Sequence, residues 1–359
     1  MRVFHKVLIN LVVLVIFLVL FYVYNTSDST LNRNSIDEAM APASDGSKPR
    51  QSASYFPSTS DSAPKEEVNV WCIFTKAAGN APMKYKLSTF SHSLLENAGS
   101  VTVSLHIIVD TSSQRVAQEI LRSVKETLKK PMKIAFYDVN QIAKDLKSLV
   151  AAMQPHFSSQ PGSYYSDSLF FLSLGLHRIA PITMSRAAMF DIDTKLQSDV
   201  GKLFQLFESF GNDTLFGLAP ELSPVYRHVL YLYRSKNPTS KIGDPIMNGG
   251  YPGLNSGMIL FMLDRLRNSS SYPQLVHASN VTALAKKYSF KGHLGDQDFY
   301  TLLGFERPEL VSVLPCNWNR QLCTWWSDHG YRDVMSQYAH CEGKVHVWHG
   351  NCNTPIPAT

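Results

Sequence analysis

Alternating apolar and amphipathic stretches along the chain predict β-strands and α-helices in turn. Short apolar runs rich in β-branched and aromatic residues predict strands at residues 68–74, 103–109, 133–137 and 186–192. Longer stretches predict helices at residues 85–96, 111–128 and 165–176. Asp110 is a helix-capping residue directly before the second helix. Strands that alternate with helices of this length predict an α/β fold, with a mixed, mainly parallel sheet and helices on both faces.

The first residues of the chain carry a different pattern. Residues 7–24 are apolar apart from Asn10, and about eighteen such residues can span a bilayer. Basic residues precede this run and no basic cluster follows it. The positive-inside rule therefore predicts a cytosolic tail at residues 1–6 and an uncleaved type II signal anchor at residues 7–24. A cleaved signal peptide is the alternative, but its apolar region is normally shorter and ends at small residues.

The rest of the chain divides into a stem and a body. Residues 25–67 are rich in Ser, Pro, Ala, Asp and Lys, which predicts a flexible lumenal stem. Residues 68–359 have the composition of one globular domain. Glycosylation sequons agree with a lumenal location; they begin at Asn25, Asn212, Asn268 and Asn280. The net charge of +5 is mild and no dense basic run occurs, so nucleic acid is not an expected partner.

The cysteines fall into two groups. Cys316, Cys323, Cys341 and Cys352 lie in the C-terminal segment, whereas Cys72 lies in the first predicted strand. In an oxidising lumen the group of four predicts two disulfides, for which three pairings exist. A zinc site is the alternative, but the spacing lacks the short knuckle of structural zinc sites. Cys72 is expected to be a buried, inert thiol.

Two carboxylates one residue apart are the main candidate for chemistry. Asp191 and Asp193 follow the hydrophobic residues Met189 and Phe190 in the predicted strand at 186–192. In an extended backbone such residues project to the same side, so both could bind one hard cation such as Mg²⁺ or Mn²⁺. A solvated turn is the more common role of such a triplet. His349 is the candidate third ligand, because the alternating stretch at 345–350 predicts a strand that ends beside a glycine.

Three further stretches carry candidate binding groups. Residues 74–76 lie at the C-terminal end of the first strand, where parallel sheets bind ligands, although an ordinary turn is an equal alternative. Small residues at 253–257 allow a ligand or a second backbone to approach closely. Residues 292–299 form a polar loop that opens a helix, in which Asp296 or Asp298 could be a cap, whereas Gln297 has no such role.

In this order, the motifs resemble glycosyltransferase family 8, whose members are metal-dependent, retaining transferases of the GT-A type. The resemblance covers residues 68–357 and is strongest to the xylosyltransferases that extend O-glucose glycans on EGF-like repeats. The strings that carry it are YYSDS at 164–168, PVYRH at 224–228, NWNRQLCTWW at 317–326 and HGNCNTP at 349–355.

The chain departs from the wider family in two places. Glycine follows His349 directly and no Lys-Pro-Trp string occurs, and Phe170 and Phe171 stand where many members have a basic residue. Both departures match the xylosyltransferase subgroup. The residue that contacts the donor phosphates is therefore open, with Lys76 and the backbone of residues 350–353 as candidates.

The resemblance implies that xylose moves from UDP-xylose to a xylosyl-glucosyl O-glycan on EGF-like repeats, as an α-1,3 linkage with retained configuration. Mn²⁺, or Mg²⁺, would be held by Asp191, Asp193 and His349 and would neutralise the leaving UDP. Gln297 would stabilise charge at the anomeric carbon, with Asp296 and Asp298 as alternative catalytic residues. The implied donor-binding residues are Phe74, Thr75, Lys76, Ile192, Asn255, Ser256, Gly257, Gln297, Gly350 and Asn351.

The resemblance also implies features outside the donor site. Trp325 and Trp326 would form an acceptor platform, with burial in the core as the alternative. The disulfides would pair as Cys316–Cys341 and Cys323–Cys352. The chain would reside in the endoplasmic reticulum membrane, or in the Golgi, and its oligomeric state, including a homodimer, is open. The alternatives are a family 8 transferase that uses a UDP-hexose and a non-catalytic type II sugar-binding protein. A glycosidase is disfavoured because Asp191 and Asp193 cannot flank both sides of a sugar.

Overall fold

A seven-stranded sheet forms the centre of the protein in the computed structural model, which describes residues 66–158 and 168–358. The predicted tail and anchor, and all but the last two residues of the predicted stem, lie outside the described residues. No helix among the described residues is long and apolar enough to cross a bilayer.

The large sheet is mixed and mainly parallel, as predicted. The strands are β1 (Glu67–Phe74), β2 (Thr102–Val109), β3 (Met132–Asp138), β4 (Arg186–Phe190), β5 (Thr194–Leu196), β6 (Phe216–Pro220), β7 (Leu254–Met262), β8 (Val311–Val313), β9 (Arg320–Gln321) and β10 (Val347–His349). The order in the large sheet is β3-β2-β1-β4-β7-β6-β8, and β7 runs antiparallel to both of its neighbours. A small second sheet has the order β5-β10-β9.

Helices cover both faces of the large sheet. They are α1 (Ala81–Glu96), α2 (Thr111–Leu128), α3 (Val139–Asp145), α4 (Lys147–Phe157), α5 (Leu176–Ile179), α6 (Val200–Gln205), α7 (Val225–Val229), α8 (Tyr231–Lys236), α9 (Leu263–Asn268), α10 (Tyr272–Leu275), α11 (Ala278–Lys287), α12 (Asp296–Glu306) and α13 (Arg332–Ala339). On β1, Val70 and Cys72 face the core cluster that includes α1 and α2, whereas Trp71 faces the cluster that includes α4 and α12. The strand is therefore buried on both faces, as expected for a parallel sheet.

The predicted helix cap is confirmed and also joins two strands. The Asp110 carboxylate accepts hydrogen bonds from the backbone N–H of Ser113 at 2.8 Å and from the Ser113 hydroxyl at 2.9 Å. It also accepts one from the backbone N–H of Lys76 at 2.5 Å. Capping of α2 therefore also ties down the C-terminal end of β1.

Two predicted elements differ in the structure. The predicted α-helix at 165–176 is a 3₁₀ helix, Ser168–Gly175, followed by the short α5, and residues 165–167 lie outside the described part. At the end of the 3₁₀ helix, a Cβ on Gly175 would lie 2.5 Å from the Leu146 side chain, so this position requires glycine. The predicted strand at 186–192 ends at Phe190, so Asp191 and Asp193 lie in a turn rather than in extended backbone.

The cysteine predictions are confirmed. Cys316 pairs with Cys341 and Cys323 pairs with Cys352, and Cys72 is a buried free thiol. The bridges close loops with sequence separations of 25 and 29 residues in a segment with little regular secondary structure. The Cys323–Cys352 loop contains His349, so this bridge restricts the segment that carries it.

Replacing both Cys323 and Cys352 by alanine should lower the free energy of unfolding by about 3–4 kcal/mol, because the open loop regains chain entropy. Urea denaturation followed by circular dichroism measures the change. The double variant of Cys316 and Cys341 is the matched comparison, and its cost should be similar. A loss below about 1 kcal/mol for both pairs would contradict the entropic account.

Candidate active site

Pairing between two short strands brings the candidate metal ligands together. Asp191 and Asp193 lie directly between β4 and β5, and β10 pairs with β5 so that His349 is opposite Thr194. The backbone N–H of Gly350 donates to the Asp193 carbonyl at 2.8 Å. His349 thus reaches the aspartates from a position more than 150 residues away in sequence.

The three side chains converge within ligand distance of a single point. His349 Nε2 lies 3.6 Å from Asp191 Oδ2 and 3.5 Å from Asp193 Oδ1. One ligand atom from each residue lies within 4.8 Å of the others. His349 is buried, whereas the Asp191 side chain is 60% exposed. Two carboxylates and an imidazole with one open side suit a divalent cation that also contacts a ligand from solvent.

The electrostatics of this group fit a cation site. Burial would lower the pKa of His349, but Asp191 and Asp193 outweigh it and raise the pKa to about 10. Burial would raise the pKa of Asp193, but His349 and Lys86 lower it. Without a cation, a proton on the imidazole therefore satisfies both carboxylates. A divalent cation has to displace that proton.

Asn319 orients the imidazole from the other side. Its Oδ1 lies 2.9 Å from His349 Nδ1, which directs Nε2 towards the aspartates. Asn319 Nδ2 in turn donates to Asn255 Oδ1 at 2.9 Å. The sequence analysis did not assign Asn319 a role, although it lies in the conspicuous string at 317–326.

Gly257 lies in close contact with two of the candidate metal ligands, His349 and Asp191. A Cβ at this position would lie 2.1 Å from His349 Cε1, so the ring packs directly against the glycine backbone. The Gly257 carbonyl also accepts a hydrogen bond from the Asp191 N–H at 2.9 Å. The small residues were predicted to permit close approach of a ligand or a second backbone, and here Gly257 makes room for the His349 ring. Gly257 therefore contacts both His349 and Asp191.

Gln297 is held by a buried carboxylate that the sequence analysis missed. Gln297 Nε2 donates to Glu221 Oε2 at 3.2 Å, and Gln297 Oε1 accepts from the Ser256 N–H at 3.3 Å. Asn255 Nδ2 donates to the same Glu221 oxygen at 2.9 Å. Burial raises the pKa of Glu221, and this effect exceeds that of the hydrogen bonds from Asn255 and Gln297, which lower the pKa. An acidic residue directly after the apolar run at residues 215–220 was the available signal in the sequence.

The two aspartates beside Gln297 have separate surroundings. Asp296 accepts hydrogen bonds from the hydroxyls of Ser256, at 3.0 Å, and Ser173. Asp298 accepts from the Tyr226 hydroxyl at 3.0 Å and the Leu294 N–H at 2.8 Å. Burial raises the pKa of both carboxyls to about 7. The helix cap is Gly295, so the alternative in which Asp296 or Asp298 serves only as the cap does not hold.

The remaining donor-side candidates differ in exposure. Phe74 is fully buried in the core, and Thr75 and Ile192 are also buried. Lys76 is exposed and has a positive φ of 55°. The Asn351 side chain binds the protein's own backbone, because its Oδ1 accepts hydrogen bonds from the N–H groups of Leu322 and Cys323.

The tryptophan pair lies in an aromatic cluster beside the Cys323–Cys352 bridge. Trp325 is 49% exposed and stacks on His329, with 3.5 Å between ring centroids. Trp326 is half-buried and contacts His228 and Tyr331. Trp326 thus packs against the core, as the alternative predicted, whereas Trp325 faces solvent and its acceptor role stays a prediction.

Lys86 is a further polar residue of the site that the sequence analysis missed. Its Nζ lies 3.2 Å from Asp193 Oδ2 and 2.9 Å from Asn353 Oδ1. It projects from α1, which the sequence predicted without a chemical role. Nothing in the sequence pattern shows that this helix reaches the aspartates.

Comparisons with known proteins establish the family. No protein-family model matches the chain. Mouse xyloside xylosyltransferase 1 is 45% identical over 79% of this chain and 74% of its own length, and the human protein of that name is 44% identical over 79% and 73%. A crystal structure of the mouse protein in its apo form covers 81% of this chain and 100% of that chain, with a TM-score of 0.76.

A more distant structure supports the fold. The galactosyltransferase LgtC, in complex with donor and acceptor sugar analogues, is 16% identical and matches 79% of this chain and 86% of its own with a TM-score of 0.51. This likeness concerns the GT-A architecture alone. At the identity and coverage shared with the mouse and human proteins, the chain belongs to the xyloside xylosyltransferases, a branch of glycosyltransferase family 8.

Proposed function

We propose that the chain transfers xylose from UDP-xylose to the 3-hydroxyl of xylose in a xylosyl-glucosyl O-glycan on EGF-like repeats. The convergence of Asp191, Asp193 and His349 on one point carries the proposal, since a sugar-nucleotide donor needs its diphosphate neutralised. The names of the mouse and human relatives support xylose as the transferred sugar. Exposure of Asp191 leaves an open side towards which the donor can bind.

Asp191, Asp193 and His349 would hold Mn²⁺ or Mg²⁺, which, when bound, offsets the charge that develops on the leaving UDP. The residues of the chain then orient the sugar. Gln297 would place its amide dipole at the anomeric carbon, with its rotamer fixed by Glu221 and Ser256. Asn255, bonded to the same Glu221, would face the donor sugar.

A transfer without a protein nucleophile suits this arrangement. Asp296 and Asp298 already accept two hydrogen bonds each, and burial favours their neutral forms. Both are therefore poor nucleophiles. The acceptor hydroxyl would instead attack from the side that UDP leaves, which retains the configuration, and a departing phosphate oxygen would take its proton.

The acceptor and the cellular location are the remaining parts of the proposal. Trp325, braced beside a disulfide, would contact the acceptor glycan or the EGF-like polypeptide. The two disulfides support an oxidising lumen. The predicted type II anchor and residence in the endoplasmic reticulum complete the proposal.

A panel of sugar nucleotides tests the donor. With a xylosyl-glucosyl acceptor and Mn²⁺, we expect transfer from UDP-xylose to exceed transfer from UDP-glucose or UDP-galactose by at least about tenfold, because one exocyclic hydroxymethyl group changes pocket fit by about 1–3 kcal/mol. Adding a chelator should abolish transfer. Equal transfer from a UDP-hexose would favour the alternative enzyme, and no transfer from any donor would contradict the proposal.

The candidate metal ligands and Gln297 should fail in different ways. Asp193→Asn and His349→Ala should weaken Mn²⁺–UDP binding by more than the 10–100-fold that loss of an outer-sphere partner typically costs. Gln297→Ala should keep UDP affinity and lower turnover by about 100-fold. Asp333→Asn, an exposed helix residue, is the control. Calorimetry should also show that the parent releases a proton when it binds Mn²⁺. If His349→Ala bound Mn²⁺–UDP as tightly as the parent, His349 would be excluded as a metal ligand.

Trp325→Ala should weaken transfer to a folded EGF-like glycopeptide by about threefold to tenfold and leave the hydrolysis of UDP-xylose unchanged. The reason is that an exposed ring would contact acceptor rather than donor. Ile182→Ala, which removes another exposed apolar side chain, is the control. Equal loss of transfer and hydrolysis would assign Trp325 a structural role.

A further inference from the structure

Lys86 connects three separate parts of the fold at the candidate metal site. It projects from α1, and its ammonium donates to Asp193 Oδ2 at 3.2 Å and to Asn353 Oδ1 at 2.9 Å. Asp193 precedes β5, and Asn353 lies in the segment that follows β10. The side chain is 24% exposed, so the ammonium is partly accessible to solvent.

The two oxygens of Asp193 face different positive groups. Oδ1 lies 3.5 Å from His349 Nε2, on the side of the candidate cation, whereas Oδ2 lies 3.2 Å from Lys86 Nζ. A divalent cation and the ammonium would thus flank one carboxylate. Their three positive charges exceed the two negative charges of Asp191 and Asp193. The excess favours an anionic ligand at this point, and a diphosphate supplies the charge.

The ammonium is held in place for such a ligand. Asn353 adopts a left-handed backbone with a φ of 55° and directly follows Cys352, which is bonded to Cys323. The two hydrogen bonds to Asp193 and Asn353 use two of the three N–H donors of Lys86. A third donor and a partly exposed head remain for an oxygen of a ligand.

The sequence left open which residue of the chain contacts the donor phosphates. We propose that Lys86 is a phosphate-binding residue of this chain, which donates a hydrogen bond to the diphosphate of the donor beside the cation. This inference rests on the proposed function, because it takes a nucleoside diphosphate as the ligand.

Binding measurements on the full chain test the inference without relying on turnover. The affinities for UDP and for uridine, each with Mn²⁺, are measured by calorimetry for the parent, Lys86→Gln and Lys84→Gln. Lys86→Gln should weaken UDP binding by about 10–100-fold, the range for a hydrogen bond to a charged group, and leave uridine binding unchanged. Lys84 is exposed on the same helix, so Lys84→Gln should match the parent. Lys86→Arg keeps the charge and should retain most of the UDP affinity.

Binding of Mn²⁺ alone separates the two roles that Lys86 can have. A lysine that only neutralises Asp193 would compete with the cation, so Lys86→Gln would bind both Mn²⁺ and Mn²⁺–UDP more tightly. A parent that fails to bind Mn²⁺–UDP would contradict the proposed function itself. If the parent binds but Lys86→Gln has UDP affinity within about twofold of it, or loses uridine affinity equally, the inference about Lys86 is wrong. Thermal unfolding of each variant verifies that the fold is kept.

Discussion

The hydrogen-bonded pairing of β10 with β5 is the interaction on which the candidate active site depends. β5 begins one residue after Asp193, and β10 ends at His349, so three residue pairs in register fix the distance between the carboxylates and the imidazole. Each partner strand is short, and neither belongs to the large sheet. Asn319 adds a second constraint, since its hydrogen bond to His349 fixes the ring orientation as well as its position. Together they assemble a site from segments that are distant in sequence.

Much of the fold could be predicted from the pattern of apolar and polar residues within single segments of the sequence. The apolar runs of β1 to β3 and the Asp110 cap follow from side-chain chemistry within one element, and the structure confirms them. The 3₁₀ helix at Ser168–Gly175 was predicted as an α-helix, and its close contact between Gly175 and Leu146 joins two separate segments of the chain. The periodicity of apolar residues within one segment carries no information about contacts with another segment.

The candidate site likewise contains some residues that the sequence identified and others that it did not. Asp191, Asp193 and His349 were found by residue type, although the geometric reason first given for the aspartates was wrong, since a turn brings them together. Glu221, Asn319 and Lys86 were missed because each acquires its role through a partner on another element. The serine and tyrosine hydroxyls that bind Asp296 and Asp298 come from other elements in the same way. Sequence therefore identifies reactive groups more readily than the groups that orient them.

The Cys323–Cys352 bridge has a consequence for how the protein matures. Asn353, one residue beyond the bridge, accepts a hydrogen bond from Lys86, and Asn351, one residue before it, holds the backbone of Cys323. The cystine therefore links the Asn353 side of the candidate site to the loop that carries the tryptophans. Neither cysteine belongs to the large sheet, so the bridge constrains these two loops and not the sheet itself. Reduction of this one bond would therefore release both loops together, which would couple the order of the candidate site to the redox state of the chain.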